Sequence, residues 1–360
     1  MSDLPKVPNK VTLDAICKCG LTLPYYKNIV VSVSGGGDSD IVIDLVLRAC
    51  DECNIDSKIL KWIFFDTGIE YKATKEHLDY LEDKYKIKIE RIRAKCPVPL
   101  GCKKYGLPFL SKFISQMIER LQNKNFDFAN DGWKSFEELN LKYPRTKGAL
   151  TWWCNRYEVK EGKSNSSFNI SNNAYLKEFI IENPPTFKIS AECCQGAKKD
   201  VAHDYYEEND IDLSILGLRQ AEGGIRSVKI KSCYDDNRNE GKVSVFRPIF
   251  WFKDIDKKEY EDFYKIVHSK CYTEYGMKRT GCCGCPFNSR FEEDLKIVKE
   301  QEPLLYTACN NIFGPSYEYT RAYRKFRREH KENDKNGILD GQVSFYEIFA
   351  DLKPEDYEHE

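Results

Sequence analysis

The chain reads as an α/β protein, a doubly wound parallel sheet followed by a helical C-terminal extension. Three observations predict this. Strand and helix signals alternate from residue 28 to about 95 in the order β-α-β-α-β. The strands are continuous apolar runs rather than alternating ones, as suits a sheet covered on both faces. From about residue 290 the pattern turns helical. The 360 residues suffice for one large domain with additions or for two, and a hydrophobic content of 41% can build a core.

Residues 1–27 form an N-terminal segment carrying Cys17-x-Cys19, whose spacing leaves it unassigned. Ile29, Val30, Val31 and Val33 read as a buried strand, Ser34–Ser39 (SGGGDS) as a tight turn, and Ile41 onward as a buried helix. Lys58–Asp66 is the second strand and ends in Asp66-Thr67-Gly68; Ala73–Tyr85 is a helix and Ile87–Arg93 a third strand. Residues 95–150, richer in proline, glycine and lysine, read as an insertion, and 161–173 as a mobile loop. Ile211–Leu216 and Val243–Ile249 read as two further strands. The main domain is thus expected over 28–289 and the extension over 290–360.

A formal net charge of −1 provides no global field favouring nucleic acid or an acidic membrane. No apolar leader and no run approaching a membrane span is present, so a cytoplasmic location is expected. Fifteen cysteines are many for that compartment, where disulfides rarely persist. Clustered cysteines there point to metal or redox work. Five histidines with no HExxH pair argue against a histidine metal site.

The strand–loop–helix junction carries the first chemistry. Such a junction points backbone N–H groups at an anion and sets the positive end of a helix behind it. Gly35, Gly36 and Gly37 let the backbone approach a phosphate. Ser34 and Ser39 add hydroxyl donors, and Asp38 is placed either to hold a magnesium ion or to cap the helix. The loop is not a Walker A motif, since it has neither that spacing nor its lysine. Asp66, at a strand end one βα unit later, suits a ribose hydroxyl, a magnesium ion or a substrate group.

The SGGGDS loop resembles that of the PP-loop ATP pyrophosphatases, the adenine nucleotide α-hydrolase superfamily, in which it holds the pyrophosphate side of ATP. Phe64–Glu70 resembles the DTGxE turn of the phosphoadenosine phosphosulfate reductase family, which makes Asp66, Thr67 and Gly68 nucleotide-site residues by resemblance. Gly217, Arg219 and Glu222, with Arg226, are similar to that family's GxRxxES..R segment, with both arginines placed to fork onto a phosphate or sulfate. Pro248–Asp254 looks like its PI..W...D segment. Trp152-Trp153-Cys154-Asn155, with Lys160, looks like its RWCT..K segment, with Trp152 where the family has arginine.

Cys193-Cys194 and Cys282-x-x-Cys285 resemble the motif that holds a 4Fe-4S cluster in assimilatory adenylylsulfate reductases. Zinc is the rival ion for such a set. Cys283 is an alternative to Cys282, and Cys233 to Cys193; relatives such as the phosphorothioation sulfurtransferases spread their cluster cysteines more widely. Cys96 and Cys102, flanking Pro97 and Pro99, read as scattered core thiols in preference to a second metal or redox site. Lys278, before the turn, is placed to steer an anionic substrate. The reductases carry a tail cysteine within Glu-Cys-Gly-Leu-His that attacks the sulfate sulfur; this sequence has no cysteine after Cys309, leaving a nucleophile such as Cys154 or one on a partner.

The resemblance thus implies an adenine-nucleotide enzyme of sulfur metabolism, with a sulfonucleotide reductase using another nucleophile, or a nucleotide-binding subunit of a nucleic-acid sulfur-modification system, as the alternatives. The enzyme would use ATP or adenylylsulfate beside a 4Fe-4S cluster, with magnesium as a further candidate and an electron- or sulfur-donor protein as partner. Asp38, Arg219, Arg226 and Lys278 are the expected catalytic residues. The basic, aromatic stretch Tyr317–Lys331 suits either a docked helix, the preferred reading, or a nucleic-acid surface.

Overall fold

The run Ile29-Val30-Val31 lies in the central strand of a six-stranded sheet. Strand β1 (Ile29–Ser32) is flanked in parallel by β2 (Leu60–Asp66) and β4 (Leu213–Leu216), with Val31 opposite Trp62 on one side and Ile215 on the other. β3 (Ile89–Arg93) lies outside β2, and β6 (Ser244–Phe246) lies outside β4, both parallel. The short strand β5 (Tyr234–Asp235) closes one edge antiparallel to β6. The order β3-β2-β1-β4-β6-β5 means that the chain winds outward from β1 in one direction and then in the other. The reversal falls between β1 and β4, the position at which such sheets open a crevice for ligands.

The computed structural model describes residues 6–159, 161–162, 165–223 and 230–336. They divide into two compact units. The first comprises the described residues within 1–104, 192–285 and 290–312; the second comprises those within 105–191, 286–289 and 313–336.

In the first unit the strand period of two sorts side chains onto two faces. Ile29 and Val31 of β1, Trp62 and Phe64 of β2, and Leu213 and Ile215 of β4 join one apolar cluster with helices α1 (Lys10–Thr22), α2 (Gly37–Glu52) and α3 (Lys72–Tyr85). Val30 and Ile63 point the other way, against Tyr205 of α4 (Asp200–Glu208) and Ile211. Helix α2 is buried almost all round, with Ile41, Val42, Ile43, Leu45 and Val46 fully covered. This is why its sequence is a continuous apolar run rather than a stripe. Helix α5 (Asp254–Tyr264) sends Tyr260 into the same cluster, where its hydroxyl donates to Asp44 at 2.7 Å. Helix α6 (Phe291–Gln301) and the start of α7 (Pro303–Asn336) complete the unit.

The last expected strand stops at Phe246 instead of running to Ile249. Beyond it the backbone turns, with Phe250 N donating to Arg247 O at 3.1 Å, while Arg247 pairs with Asp235 on β5 at 2.7 Å. Strand β5 escapes sequence reading because two residues are too few to show a period.

The second unit is helical and aromatic. Its helices (Lys112–Gln122, Phe136–Lys142, Lys147–Trp153 and Leu176–Glu182 among them) enclose Trp152 and Trp153, both fully buried. The later part of α7 docks through the stripe noted in the sequence: Tyr319 stacks near Phe109 and Phe179, each at 4.9 Å, and Tyr323 donates to Ala174 O at 2.9 Å. The segment expected to be a mobile loop is tied down in part, Asn169 bridging to Tyr157 through its side chain. Among the described residues no helix is long and apolar enough to cross a membrane.

Candidate nucleotide and thiol site

The SGGGDS loop leaves the carboxyl end of β1 and enters α2, so its backbone lies at the switch point of the sheet. Gly36 is the N-cap. Ser39 knits the loop: its hydroxyl donates to Gly36 O at 2.8 Å and lies 3.3 Å from Ser34 N and 3.2 Å from Gly36 N. Gly35 has φ +66°, and a Cβ there would come within 2.7 Å of Thr74, so both conformation and space call for glycine. Gly217, just beyond β4, passes so close to α2 that a Cβ would lie 3.2 Å from the Asp38 carbonyl and Ser39 N. The structure thus brings Ser34, Gly35, Gly36, Gly37, Asp38, Ser39 and Gly217 together.

Asp38 does not cap the helix. Its two oxygens meet two cations, Lys257 Nζ at 2.6 Å and Arg219 Nε at 3.1 Å. Burial works against its ionisation, but Lys257 and Arg219 together outweigh that and hold the carboxyl below its ordinary value. Arg219 is itself only 8% exposed and reaches Asp254 at 2.8 Å through Nη1. With both oxygens committed to cations, Asp38 does not fit a magnesium ligand without surrendering one of them, and no step is assigned to that ion.

Behind the loop lies a second charged array. Asp40 is fully buried and meets His77 Nε2 at 3.0 Å and His268 Nδ1 at 2.8 Å; His268 Nε2 meets Glu261 at 2.9 Å. Desolvation lowers the His268 pKa, but Asp40 and Glu261 raise it overall, to about 9. Tyr272 lies with its hydroxyl 3.4 Å from Gly37 N and 2.9 Å from Thr280 Oγ1.

The Asp66-Thr67-Gly68 turn links the nucleotide end to the cysteines. Asp66 accepts from Gly68 N at 2.8 Å, closing the turn on itself. Thr67 is fully buried and donates to Glu70 at 2.5 Å, while Cys282 Sγ donates to Thr67 Oγ1 at 3.5 Å. The cysteine turn is pinned to the same loop by Cys283 N donating to Ile69 O at 2.9 Å. Burial raises the Glu70 carboxyl against the opposing pull of Lys198 and Thr67.

The four predicted thiols are neighbours. The Cys193 thiol shares hydrogen bonds with Cys102 and Cys194 and feels Cys285; contact with Cys102 drives its pKa up. Desolvation opposes protonation of Lys198, yet Cys282, Glu70, Cys194 and Cys285 raise its pKa. Lys198 is exposed, and its ammonium beside the thiols is a counter-charge of the kind an anionic thiolate set requires. The thiols are adjacent without being closed into a coordination shell: among the described residues no three His, Cys, Asp or Glu side chains are grouped tightly enough to hold a metal ion.

The alternatives lie elsewhere. Cys283 turns away and packs its sulfur 3.4 Å from Cys309 Sγ. Cys233 lies near Lys18 and Cys19 of α1. Cys102 is not a scattered thiol but touches Cys193, and a Cβ at Gly196 would lie 3.5 Å from Cys96 Sγ. Cys154 belongs to the second unit, where burial raises its thiol pKa. Trp152, which stands where the resembled segment has arginine, is core of that unit. Lys278 is exposed. Arg226 and Lys160 lie outside the described residues. Lys257, His268 and Lys198 were not singled out from the sequence; no motif marks them, and only the fold brings them to the loop and the thiols.

A glycine loop at the switch point, backed by a helix N-terminus and flanked by Arg219 and Lys257, is an α/β arrangement that suits a phosphate-bearing ligand. Residues 28–109 match the family described as phosphoadenosine phosphosulfate reductase domain. The chain is 34% identical over 286 residues to an uncharacterized protein of Methanocaldococcus jannaschii, an alignment covering 79% of this chain and 41% of that protein. It therefore spans less than half the length of that relative. Among solved structures it is similar to the phosphoadenylyl-sulfate reductase of Candida auris in a phosphate complex (12% identity, 74% of this chain and 87% of that one, TM-score 0.38). It is also similar to the NH3-dependent NAD synthetase of Campylobacter jejuni with a nitrate ion (14% identity, 87% and 96%, TM-score 0.34). At these scores the likeness says nothing of function, and the fold class rests on the strand order described above.

Proposed function

We propose that the chain is an adenine-nucleotide enzyme of sulfur chemistry, binding ATP or adenylylsulfate in the SGGGDS loop beside a 4Fe-4S cluster held by Cys193, Cys194, Cys282 and Cys285. The observation that carries this reading is the seat of the Cys282 sulfur on Thr67, 3.5 Å away, which joins the thiols to the turn after β2 at the nucleotide end of the sheet. The loop N–H groups and the exposed Ser34 hydroxyl take the phosphates, Ser39 holds the loop in shape through its hydroxyl on Gly36 O, and Arg219 adds a planar cation. These donors strengthen where charge builds on a departing group. Lys198 balances the charge of the thiolates, and exposed Lys278 draws an anionic substrate toward them. A 4Fe-4S cluster, when bound, supplies electron transfer. An electron- or sulfur-donor protein is the partner such chemistry requires.

The test is anaerobic incubation of the full chain with ATP or with adenylylsulfate, followed by product analysis. Pyrophosphate and AMP from ATP in the presence of a sulfur acceptor system support ATP-dependent transfer. Sulfite from adenylylsulfate supports reduction by another nucleophile. Absence of binding to either nucleotide overturns the reading.

A further inference from the structure

Asp38 is the meeting point of two cations that come from separate elements. Lys257, on α5, lies 2.6 Å from one carboxylate oxygen, and Arg219, past β4, lies 3.1 Å from the other. Lys257 also stands over the loop itself, since a Cβ added at Gly37 would come within 3.2 Å of its Nζ. Its next acidic neighbour, Glu261, is farther off at 3.7 Å. The Arg219 side chain is 9% exposed and the Lys257 side chain 24%, so both charges are held in a sheltered place rather than on a solvated face.

Arg219 also reaches Asp254 at 2.8 Å and Lys257 approaches Glu261 at 3.7 Å, so the two cations are anchored by carboxylates on more than one side beside the phosphate loop. A lysine has three N–H donors and an arginine five, so each keeps donors for a further anion, Lys257 while touching Asp38 and Arg219 while touching Asp38 and Asp254. The carboxylate between them relieves their mutual repulsion and fixes their positions before any ligand arrives, which is preorganisation.

We propose that Arg219 and Lys257, held ready by Asp38, form a two-cation clamp for the terminal phosphates of a nucleoside triphosphate. Lys257 is then the residue that makes this site prefer a triphosphate to a nucleotide ending at the α-phosphate or at a sulfate. AMP carries no terminal phosphates to reach it, and adenylylsulfate presents a single weakly basic sulfate. The inference rests on the nucleotide reading above and narrows it to ATP-type substrates.

Equilibrium binding of ATP, adenylylsulfate and AMP to the full chain tests it. The wild-type chain is expected to bind ATP at least about tenfold more tightly than either of the others. Lys257→Met is expected to lose about tenfold in ATP affinity with AMP affinity unchanged, and Lys257→Arg to keep most of the preference. Lys257→Gln, closer in polarity, provides the same comparison should the methionine variant fail to fold. An unchanged ATP-to-AMP ratio in folded Lys257 variants overturns the clamp, as does a wild-type preference for adenylylsulfate. A wild-type chain that binds none of the three overturns the nucleotide reading itself, an outcome distinct from either.

Discussion

At the scale of single residues, the site is governed by which charges face which. His268 has a carboxylate at each ring nitrogen, Asp40 at 2.8 Å and Glu261 at 2.9 Å, so the doubly protonated ring satisfies both. Its pKa of about 9 lies above the unfolded value of about 6.5. Protonation therefore favours the folded state: the contribution is complete below about pH 6.5 and is lost as pH rises through about 9. Thermal denaturation across this range should show a falling midpoint that His268→Gln abolishes; identical slopes in the two proteins would contradict the assignment. The thiols separate in the same way. Cys282 faces Thr67, whereas Cys283 packs on Cys309. Iron content should fall sharply in Cys282→Ser and persist in Cys283→Ala and Cys233→Ala. Loss of iron in Cys283→Ala would move the ligand assignment by one residue.

At the scale of elements, the nucleotide loop depends on how closely β4 passes the first turn of α2. The backbone of Asp38 and Ser39 would lie 3.2 Å from a Cβ at Gly217, and backbone cannot swing aside as a flexible side chain can. Gly217→Val should cost about 1–3 kcal/mol of stability and weaken nucleotide binding, as read from denaturant midpoints and titrations. An unaffected variant would show that the approach is looser than this geometry implies. The loop, the turn after β2 and the strands were legible because their signals are local: a β-branched run, three glycines, an Asp-Thr-Gly ending. Lys257 was not, because α5 reaches the loop only through the tertiary fold, and nothing in the sequence DIDKKEYEDFY sets that lysine apart from its neighbours. The edge strand β5 was lost for want of length.

At the scale of the whole molecule, the sheet order explains why segments far apart in sequence serve one site. β1 and β4 meet at the reversal of the winding, so the loop at 34–39 and the segment from Gly217 to Arg219 lie side by side although they are distant along the chain. The cysteines behave likewise: Cys102, Cys193, Cys194, Cys282 and Cys285 come from three stretches yet act on one another. The sequence pairs Cys193-Cys194 with Cys282-x-x-Cys285, while Cys102 is marked only by its place in an insertion. The second unit offers a contrasting case. There the aromatic stripe of α7 is spent on internal packing with Phe109 and Phe179, as a docked helix requires.

The measurement that bears most directly on this account is iron and acid-labile sulfide per chain after strictly anaerobic purification, with zinc assayed in parallel. About four irons and four sulfides, with a broad absorption band near ~400 nm, are expected from a 4Fe-4S centre on the four thiols. About one zinc per chain, or no metal at all, would contradict it and leave a PP-loop nucleotide-binding domain whose cysteines are structural.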